Sequence, residues 1–192
     1  MAISINQKTD LLLIVDVQND FITGSLAVKN SDTIIPVINK YIKKIRRKVF
    51  SRDMHPENHV SFTDYGGQWP PHCVVGTPGA EFHPELDIHT GKSFIVNKGT
   101  LVDKDNYSAF DSTGLGMVLQ GMNIKRIFVC GIATDYCVKA TVLDALKLKG
   151  LQVYLLIDAI KAVNVNPDDG EAAINEMCVK NNAIPLTIDE IQ

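Results

Sequence analysis

Long hydrophobic runs, a strong net charge and paired cysteine motifs are all missing from this sequence. No apolar stretch in the 192 residues approaches the roughly 20 that span a membrane, so no membrane partner is predicted. The net charge of −3 gives no electrostatic reason to expect binding to nucleic acid. Hydrophobic residues make up 45% of the chain and charged residues 21%, which is typical of a globular protein with a buried core.

Cysteine is scarce, and its spacing predicts neither a disulfide framework nor a zinc ribbon. A chain of this length can bury a core without disulfides, so we interpret all the cysteines as free thiols. Residues 1–10 lack the long apolar core of a signal peptide, and a cytoplasmic location is therefore expected. The four cysteines are Cys73, Cys130, Cys137 and Cys178.

Short apolar runs alternate with segments of helical periodicity along the whole chain. Because such strands are apolar on both sides, they predict a mostly parallel six-stranded sheet with helices on both faces. This is an α/β fold in three layers, and we predict a single domain over residues 1–192. Strands are predicted at 11–15, 48–51, 94–96, 127–130, 152–157 and 184–187, and helices at 32–47, 112–122, 134–149 and 168–181.

The stretch from Arg126 to about Lys149 carries the clearest chemical signal. A β-branched strand is broken by Gly131, and Thr134 is predicted to cap a helix whose first turn holds Cys137. Backbone N–H groups at such a position favour a thiolate and can also hold an oxyanion. The alternative is an inert cysteine that fills a contact between helix and sheet.

Polar side chains follow the predicted strands at the points where they end. In open parallel sheets, ligands bind outside the carboxyl ends of the strands, so these side chains should converge on one crevice. Such convergence favours a functional Cys137 over an inert one. The residues are Asp16, Asp53, His55, Lys98 and Cys137.

Asp16 and Lys98 each allow two interpretations. Asp16 follows an apolar strand, so its partly desolvated carboxylate is a candidate base with a raised pKa. Alternatively, it binds the backbone amides of its own turn. Lys98 is a candidate cation that holds Asp16 ionised or lowers the pKa of the thiol, or else a surface lysine with a buried stem.

The segment 53–91 interrupts the alternation and contains all five histidines and the only tryptophan. A loop of this length in a compact domain is usually functional or disordered, and its aromatic content argues against disorder. Asp53 and His55 are two residues apart and point to the same side of an extended chain, with His72 as a third candidate metal ligand. His59 and Glu57 are candidates for a fourth ligand, and the alternative is that the loop histidines only bind backbone.

Six short sequence blocks, spread over nearly the whole chain, together resemble the nicotinamidase (pyrazinamidase) branch of the isochorismatase-like cysteine hydrolases. The blocks around the aspartate, lysine and cysteine mark the superfamily, and the D-x-H block with the later W-P-x-H-C block marks the branch. The blocks are Asp16-Val-Gln-Asn-Asp-Phe21, Arg52-Asp-Met-His-Pro56, Trp69-Pro-Pro-His-Cys-Val-Val-Gly-Thr77, Lys98-Gly99, Tyr107-Ser-Ala-Phe110 and Gly131-Ile-Ala-Thr-Asp-Tyr-Cys-Val138.

The resemblance implies hydrolysis of nicotinamide to nicotinate, and of pyrazinamide to pyrazinoate, through a thioester in NAD salvage. It implies a catalytic triad, a divalent metal ion that is zinc, iron or manganese, and a cis peptide bond before Ala133. It further implies an oxyanion site on two backbone amides and an aromatic substrate pocket, although Phe21 and Trp69 could equally be core residues. The implied residues are Asp16, Lys98 and Cys137 for the triad, Asp53, His55 and His72 for the metal, Ala133 and Cys137 for the oxyanion, and Phe21, Trp69 and Tyr107 for the pocket.

Three rival functions stay open at this level. A related hydrolase could act on another small amide, an isochorismatase could work without cysteine, and a metal-binding module could carry an inert thiol. The identity of the metal, the relative activity on pyrazinamide and the oligomeric state, including a homo-oligomer, are also open.

Overall fold

The computed structural model describes residues 2–192 and has six parallel strands in one sheet. The strands are β1 (Asp10–Val15), β2 (Arg47–Asp53), β3 (Lys92–Lys98), β4 (Arg126–Ile132), β5 (Gln152–Lys161) and β6 (Ile184–Leu186). Their spatial order is β3-β2-β1-β4-β5-β6, and all five pairings are parallel. The predicted α/β class and sheet are therefore confirmed.

Every residue of β1 is buried, and its side chains alternate between two hydrophobic layers. Leu12 and Ile14 pack into one layer with α2 (Ile35–Lys44). Leu11 and Leu13 pack into the other layer with α3 (Leu115–Gly121), α4 (Lys139–Leu146) and α5 (Asp169–Asn175). This arrangement explains the continuous apolar run, since both faces of the strand are covered. The helices are α1 (Asn19–Ile22), α2 (Ile35–Lys44), α3 (Leu115–Gly121), α4 (Lys139–Leu146) and α5 (Asp169–Asn175).

Several element boundaries differ from those that the periodicity predicts. The predicted helix at 32–47 is a short 3₁₀ turn followed by α2, because Pro36 occupies the first turn of the α-helix. The predicted helix at 168–181 is α5 continued by a π-turn, Glu176–Lys180. Strand β5 extends to Lys161, four residues beyond the predicted end at residue 157. In the described part of the chain, none of the helices has the length and hydropathy needed to cross a membrane.

The strand order changes direction at β1. The chain builds β2 and β3 outward on one side of β1 and then returns to place β4 on the other side. At such a switch point the loops leave the sheet in opposite directions and open a crevice at the carboxyl ends of the strands. The ends of β1, β2, β3 and β4 all border this crevice.

Candidate active site and metal site

A buried ammonium group occupies the centre of the crevice. The Nζ atom of Lys98 donates to Asp53 Oδ1 at 2.6 Å and to the Cys137 sulfur at 3.3 Å, and it lies 2.8 Å from Asp16 Oδ2. The lysine side chain is fully buried, so it is not a surface lysine with a buried stem. The sequence prediction that Asp16, Lys98 and Cys137 meet in one pocket is therefore confirmed.

Asp16, Asp53 and Cys137 bring ligand atoms within 4.8 Å of one another. The three groups would suit a cation, and the Lys98 ammonium is the cation already placed among them. Burial works against a charged lysine, but the carboxylates of Asp16 and Asp53 raise the pKa of Lys98 well above its usual range. The group is thus an ammonium at any physiological pH.

The two carboxylates around Lys98 have different proton affinities. Burial raises the pKa of Asp16, against the opposing charge of Lys98 and with the help of the negative charge on Asp53. Burial also works against ionisation of Asp53, but Lys98 and His55 hold the pKa of that carboxyl below its usual range. Asp53 is therefore a permanent anion, and Asp16 is the carboxyl with the properties of a base.

Asp16 does not bind the backbone amides of its own turn. Ser51 donates its hydroxyl to Oδ1 at 2.7 Å, and the other oxygen faces Lys98. The backbone of Asp16 is left-handed, with φ of 51°, a conformation that aspartate adopts more readily than most residues. This turn directs the carboxylate into the crevice, toward the sulfur.

Cys137 lies on a π-turn, Thr134–Val138, and not on the first turn of an α-helix as predicted. The carbonyl of Ala133 accepts hydrogen bonds from the N–H groups of both Tyr136 and Val138, and Thr134 makes no capping bond. Asp135 fixes the turn by accepting from the N–H groups of Val163 and Asn164. The prediction that Gly131 ends the strand is wrong, because β4 continues to Ile132, and the wider turn that follows was not predicted.

The thiol of Cys137 is neutral in this environment. Burial raises its pKa well above the usual range, the negative charge of Asp16 reinforces the effect, and Lys98 only partly opposes it. Burial thus opposes the thiolate that the position of Cys137 after the strand was predicted to favour. A base has to take the proton, and Asp16 is the neighbouring group with a raised pKa.

Asp53, His55 and His72 also bring one ligand atom each within 4.8 Å of one another. The Nδ1 atoms of His55 and His72 lie 2.8 Å from the carbonyls of Gly99 and Pro70, which they bind as N–H donors. Their Nε2 atoms then present lone pairs, as metal-bound histidines do. Burial lowers the pKa of His72, which keeps it neutral as ligation requires. The donor set fits a divalent metal ion.

Neither candidate for a fourth protein ligand fits. The rings of His59 and His55 lie against each other, with their centroids 4.1 Å apart. Both ring nitrogens of His59 are already hydrogen-bonded, one to the Ser61 hydroxyl and one to the Lys104 carbonyl. Glu57 is exposed to solvent. His59 therefore serves as packing behind a ligand, which its spacing in the sequence could not show.

An aromatic pocket opens beside the sulfur. Phe21, Trp69 and Tyr107 all line it, together with Asp53, His72, Ala133 and Cys137. Trp69 donates its indole N–H to the Tyr107 hydroxyl at 3.1 Å. Tyr136, which the sequence reasoning missed, packs edge-on to Trp69 and completes the wall. Its position directly before Cys137 was the available signal.

The peptide bond between Ile132 and Ala133 is cis, as the family resemblance implied. Ala133 lines the pocket. All the cysteines are free thiols, as predicted.

Known proteins resemble this chain over most of its length. Residues 10–190 match the family model described as the isochorismatase domain. A nicotinamidase of Acinetobacter baylyi is 43% identical over 81% of this chain and 82% of its own length. The pyrazinamidase of Pyrococcus horikoshii, solved in complex with zinc, superposes with a TM-score of 0.85 at 45% identity, covering 93% of this chain and 99% of that one.

A third similar protein is PnC1 from L. infantum, solved in complex with nicotinate. It superposes with a TM-score of 0.93 at 36% identity and covers 100% of this chain and 99% of its own. Identity at this level over nearly full length shows common descent and not only a shared fold. The chain therefore belongs to the isochorismatase family, in its nicotinamidase/pyrazinamidase branch.

Proposed function

We propose that this protein hydrolyses nicotinamide to nicotinate and ammonia, with Cys137 as nucleophile, Asp16 as base and acid, and Lys98 as the fixed positive charge. The observation that carries the proposal is the single ammonium that touches Cys137 and lies between two carboxylates at the edge of an aromatic pocket. A neutral thiol beside a carboxylate of raised pKa is an acid–base pair ready for proton transfer.

The first half-reaction forms a thioester. Asp16 takes the proton from the Cys137 thiol, and the sulfur attacks the carboxamide carbon. The carbonyl oxygen becomes an oxyanion that the N–H groups of Ala133 and Cys137 stabilise, each donor being worth about 3 kcal/mol in comparable sites. Asp16 then passes its proton to the amide nitrogen, the C–N bond breaks, and ammonia leaves.

The second half-reaction releases the acid. Asp16 deprotonates a water molecule, and the resulting hydroxide attacks the thioester carbon. The C–S bond breaks, Asp16 returns its proton to the sulfur, and nicotinate leaves. Lys98 keeps its charge throughout, so the pocket never holds an uncompensated anion.

Asp53, His55 and His72 would hold one divalent metal ion beside the substrate. The ion would supply a Lewis-acid site for the pyridine nitrogen and so orient the ring. Phe21, Trp69, Tyr107 and Tyr136 would enclose the flat ring. Zinc is the metal of choice because the similar pyrazinamidase was solved with it, and iron or manganese are alternatives.

The pocket suits any small aromatic carboxamide with a ring nitrogen, and we include pyrazinamide among the substrates. The product nicotinate would enter NAD salvage. We also propose that residues 1–192 form one hydrolase domain and that the protein acts in the cytoplasm. The buried sulfur at the centre of the site disfavours an isochorismatase that works without cysteine.

Replacement of Cys137 by alanine tests the proposal. Ammonia release from nicotinamide should fall by about 10³-fold or more, because the nucleophile is lost, while the circular dichroism spectrum stays that of the wild type. The matched control is Cys178→Ala, which removes a partly buried thiol outside the site. Turnover by Cys137→Ala at the rate of the control would refute the nucleophile.

A further inference from the structure

We propose that Gln18 and Asp20, in the segment after β1, are positioning residues that set the geometry of the Asp53, His55 and His72 cluster for its metal ion. The inference rests on the metal site of the proposed function. The motif Asp16-Val-Gln-Asn-Asp20 contains four polar side chains, and the mechanism uses only the first of them.

The Gln18 side chain hydrogen-bonds to the backbone of Asp53. Asp53 lies in β2 beyond the last residue that pairs with β1. The ladder between β1 and β2 ends with Val15 opposite Ser51 and one further bond from the Asp16 N–H to the Ser51 carbonyl. Beyond that point, the Gln18 amide accepts from the Asp53 N–H at 2.8 Å and donates to the Asp53 carbonyl at 2.8 Å. A side chain thus continues the sheet and pairs with both backbone groups of a ligand residue.

The same amide ties this ligand to a second loop. Its Nε2 also donates to the carbonyl of Ala80 at 2.9 Å, and the side chain is fully buried. Both N–H donors of the Gln18 amide nitrogen are therefore hydrogen-bonded to backbone carbonyls. A buried group with every bond satisfied has one low-energy orientation, and it transmits that orientation to Asp53.

Asp20 does the corresponding work for His72. Its Oδ2 accepts from the Cys73 N–H at 2.7 Å, and its Oδ1 accepts from the Ser25 N–H at 3.2 Å. Ser25 in turn donates its hydroxyl to the carbonyl of Pro71 at 2.8 Å. His72 is thus held on both sides along the chain by the turn 20–25.

Gly79 shows how closely the neighbouring loop packs on this carboxylate. A Cβ atom at Gly79 would lie 2.0 Å from Asp20 Oδ2, which is far too short for a contact between two atoms that are not bonded. Alanine at this position would displace the Asp20 carboxylate without changing any hydrogen-bonding group. Gly79→Ala is therefore an independent test of the Asp20 contact.

Metal binding makes such positioning matter. Ligand atoms must lie about 2.0 to 2.2 Å from a zinc ion, so displacements of a few tenths of an ångström weaken binding. Asp53 and His72 are far apart in the sequence, and the hydrogen bonds of Gln18 and Asp20 join both to the end of one buried strand. Mutations of outer partners of metal ligands typically cost about 10–100-fold in metal affinity.

The experiment compares Gln18→Met, Asp20→Asn and Gly79→Ala with the wild type. Zinc affinity is measured by competition with a chromogenic chelator, and the visible absorption of bound cobalt reports the ligand geometry. The control is Asn39→Leu, because Asn39 also binds backbone at both ends of its amide, to Glu85 and Asp87, far from the site. Melting temperatures of the metal-free proteins measure general destabilisation.

We expect zinc affinity to fall about 10–100-fold in all three site variants, with an altered cobalt spectrum, and to stay unchanged in Asn39→Leu. Gln18→Met should lose more stability without metal than Asn39→Leu, because the Gln18 side chain is fully buried and that of Asn39 is only partly buried. Wild-type affinity and spectrum in both Gln18→Met and Gly79→Ala would overturn the proposal, as would a wild-type protein that binds no zinc.

Failure of the proposed function would look different. Nicotinamide turnover is measured separately on the wild type and on Cys137→Ala. A wild type that binds zinc with Gln18-dependent affinity but releases no ammonia would leave the positioning role intact and refute the amidase. A wild type that releases ammonia, while both Gln18→Met and Gly79→Ala bind zinc with wild-type affinity and spectrum, would support the amidase and refute the positioning role.

Discussion

At the scale of single residues, the proposed chemistry depends on the difference in pKa between two carboxyl groups, those of Asp16 and Asp53. Asp16 and Asp53 both lie against Lys98, within 2.8 Å of its ammonium. Asp53 also lies 3.6 Å from a ring nitrogen of His55, while Asp16 has only the hydroxyl of Ser51 as a further partner. These differences in partners agree with the roles proposed for the two groups, Asp53 as a metal ligand and Asp16 as the base.

Ser51→Ala tests the assignment of Asp16 as the base. Burial dominates the raised pKa of Asp16, and the Ser51 hydrogen bond partly counteracts it, so removal of the hydroxyl should raise this pKa further. A base works only when it is ionised, and kcat/KM falls as pH drops through its pKa. The acidic limb of the pH profile should therefore move to higher pH, which ammonia release measured across pH would show.

The same substitution removes one buried hydrogen bond, at a cost of about 1 kcal/mol in unfolding free energy. Urea unfolding of the variant measures that cost separately. An acidic limb that stays in place, in a variant with this modest loss of stability, would mean that another group is the base.

At the scale of elements, the site exists because β1 and β4 end side by side. Gly131 makes that approach possible: its φ is 117°, and a Cβ atom there would lie 2.0 Å from the carbonyl oxygen of Val15. No other residue fits this backbone at this distance. The π-turn with Cys137 follows directly, so the sulfur reaches Asp16 only because β4 can end this close to β1.

Gly131→Ala should therefore lower the unfolding free energy by about 1 to 3 kcal/mol or more, and reduce activity as well. Urea midpoints measure the first effect. The matched control is Gly121→Ala at the end of α3, where the new methyl group meets nothing within 4 Å. That change should leave stability equal or up to about 1 kcal/mol higher. Equal midpoints for Gly131→Ala and the wild type would contradict the close-packing argument.

At the scale of the whole molecule, metal binding should link the long loop to global stability. The loop that carries His72 has little regular structure, and the sheet carries Asp53. A ligand that binds only the folded state at one hundred times its Kd adds about 2.7 kcal/mol, which for a domain of this size raises Tm by about 5 to 10 °C. We expect zinc to raise Tm in the wild type and a chelator to reverse the effect and remove most activity.

Asp53→Ala serves as the contrast for this thermal shift. It removes a ligand and also one anion next to Lys98, so it should show no zinc-dependent change in Tm. A wild type whose kinetics are unchanged after proven removal of metal would exclude the ion from substrate binding.

Much of the site was predictable from the sequence because parallel sheets place strand ends on one edge. Asp16, Asp53 and Lys98 follow apolar runs, so their convergence needed only correct strand assignments. Cys137 was recognised because it follows an apolar strand closely, although that strand runs through Gly131 to Ile132. His59 and Glu57 do not join the cluster, since spacing along a loop reveals neither that the His59 nitrogens have partners nor that Glu57 faces solvent.

The sequence by itself determined the layered sheet, the edge at which function lies and the residue types gathered there, because apolar periodicity and strand-end polarity are local properties. Only the tertiary structure decided that Lys98 bridges Cys137 and two carboxylates, that Tyr136 lines the pocket, and that Gln18 and Asp20 bind the backbone of Asp53 and Cys73. These features depend on strand order, loop path and desolvation, which arise from contacts between segments distant in the chain.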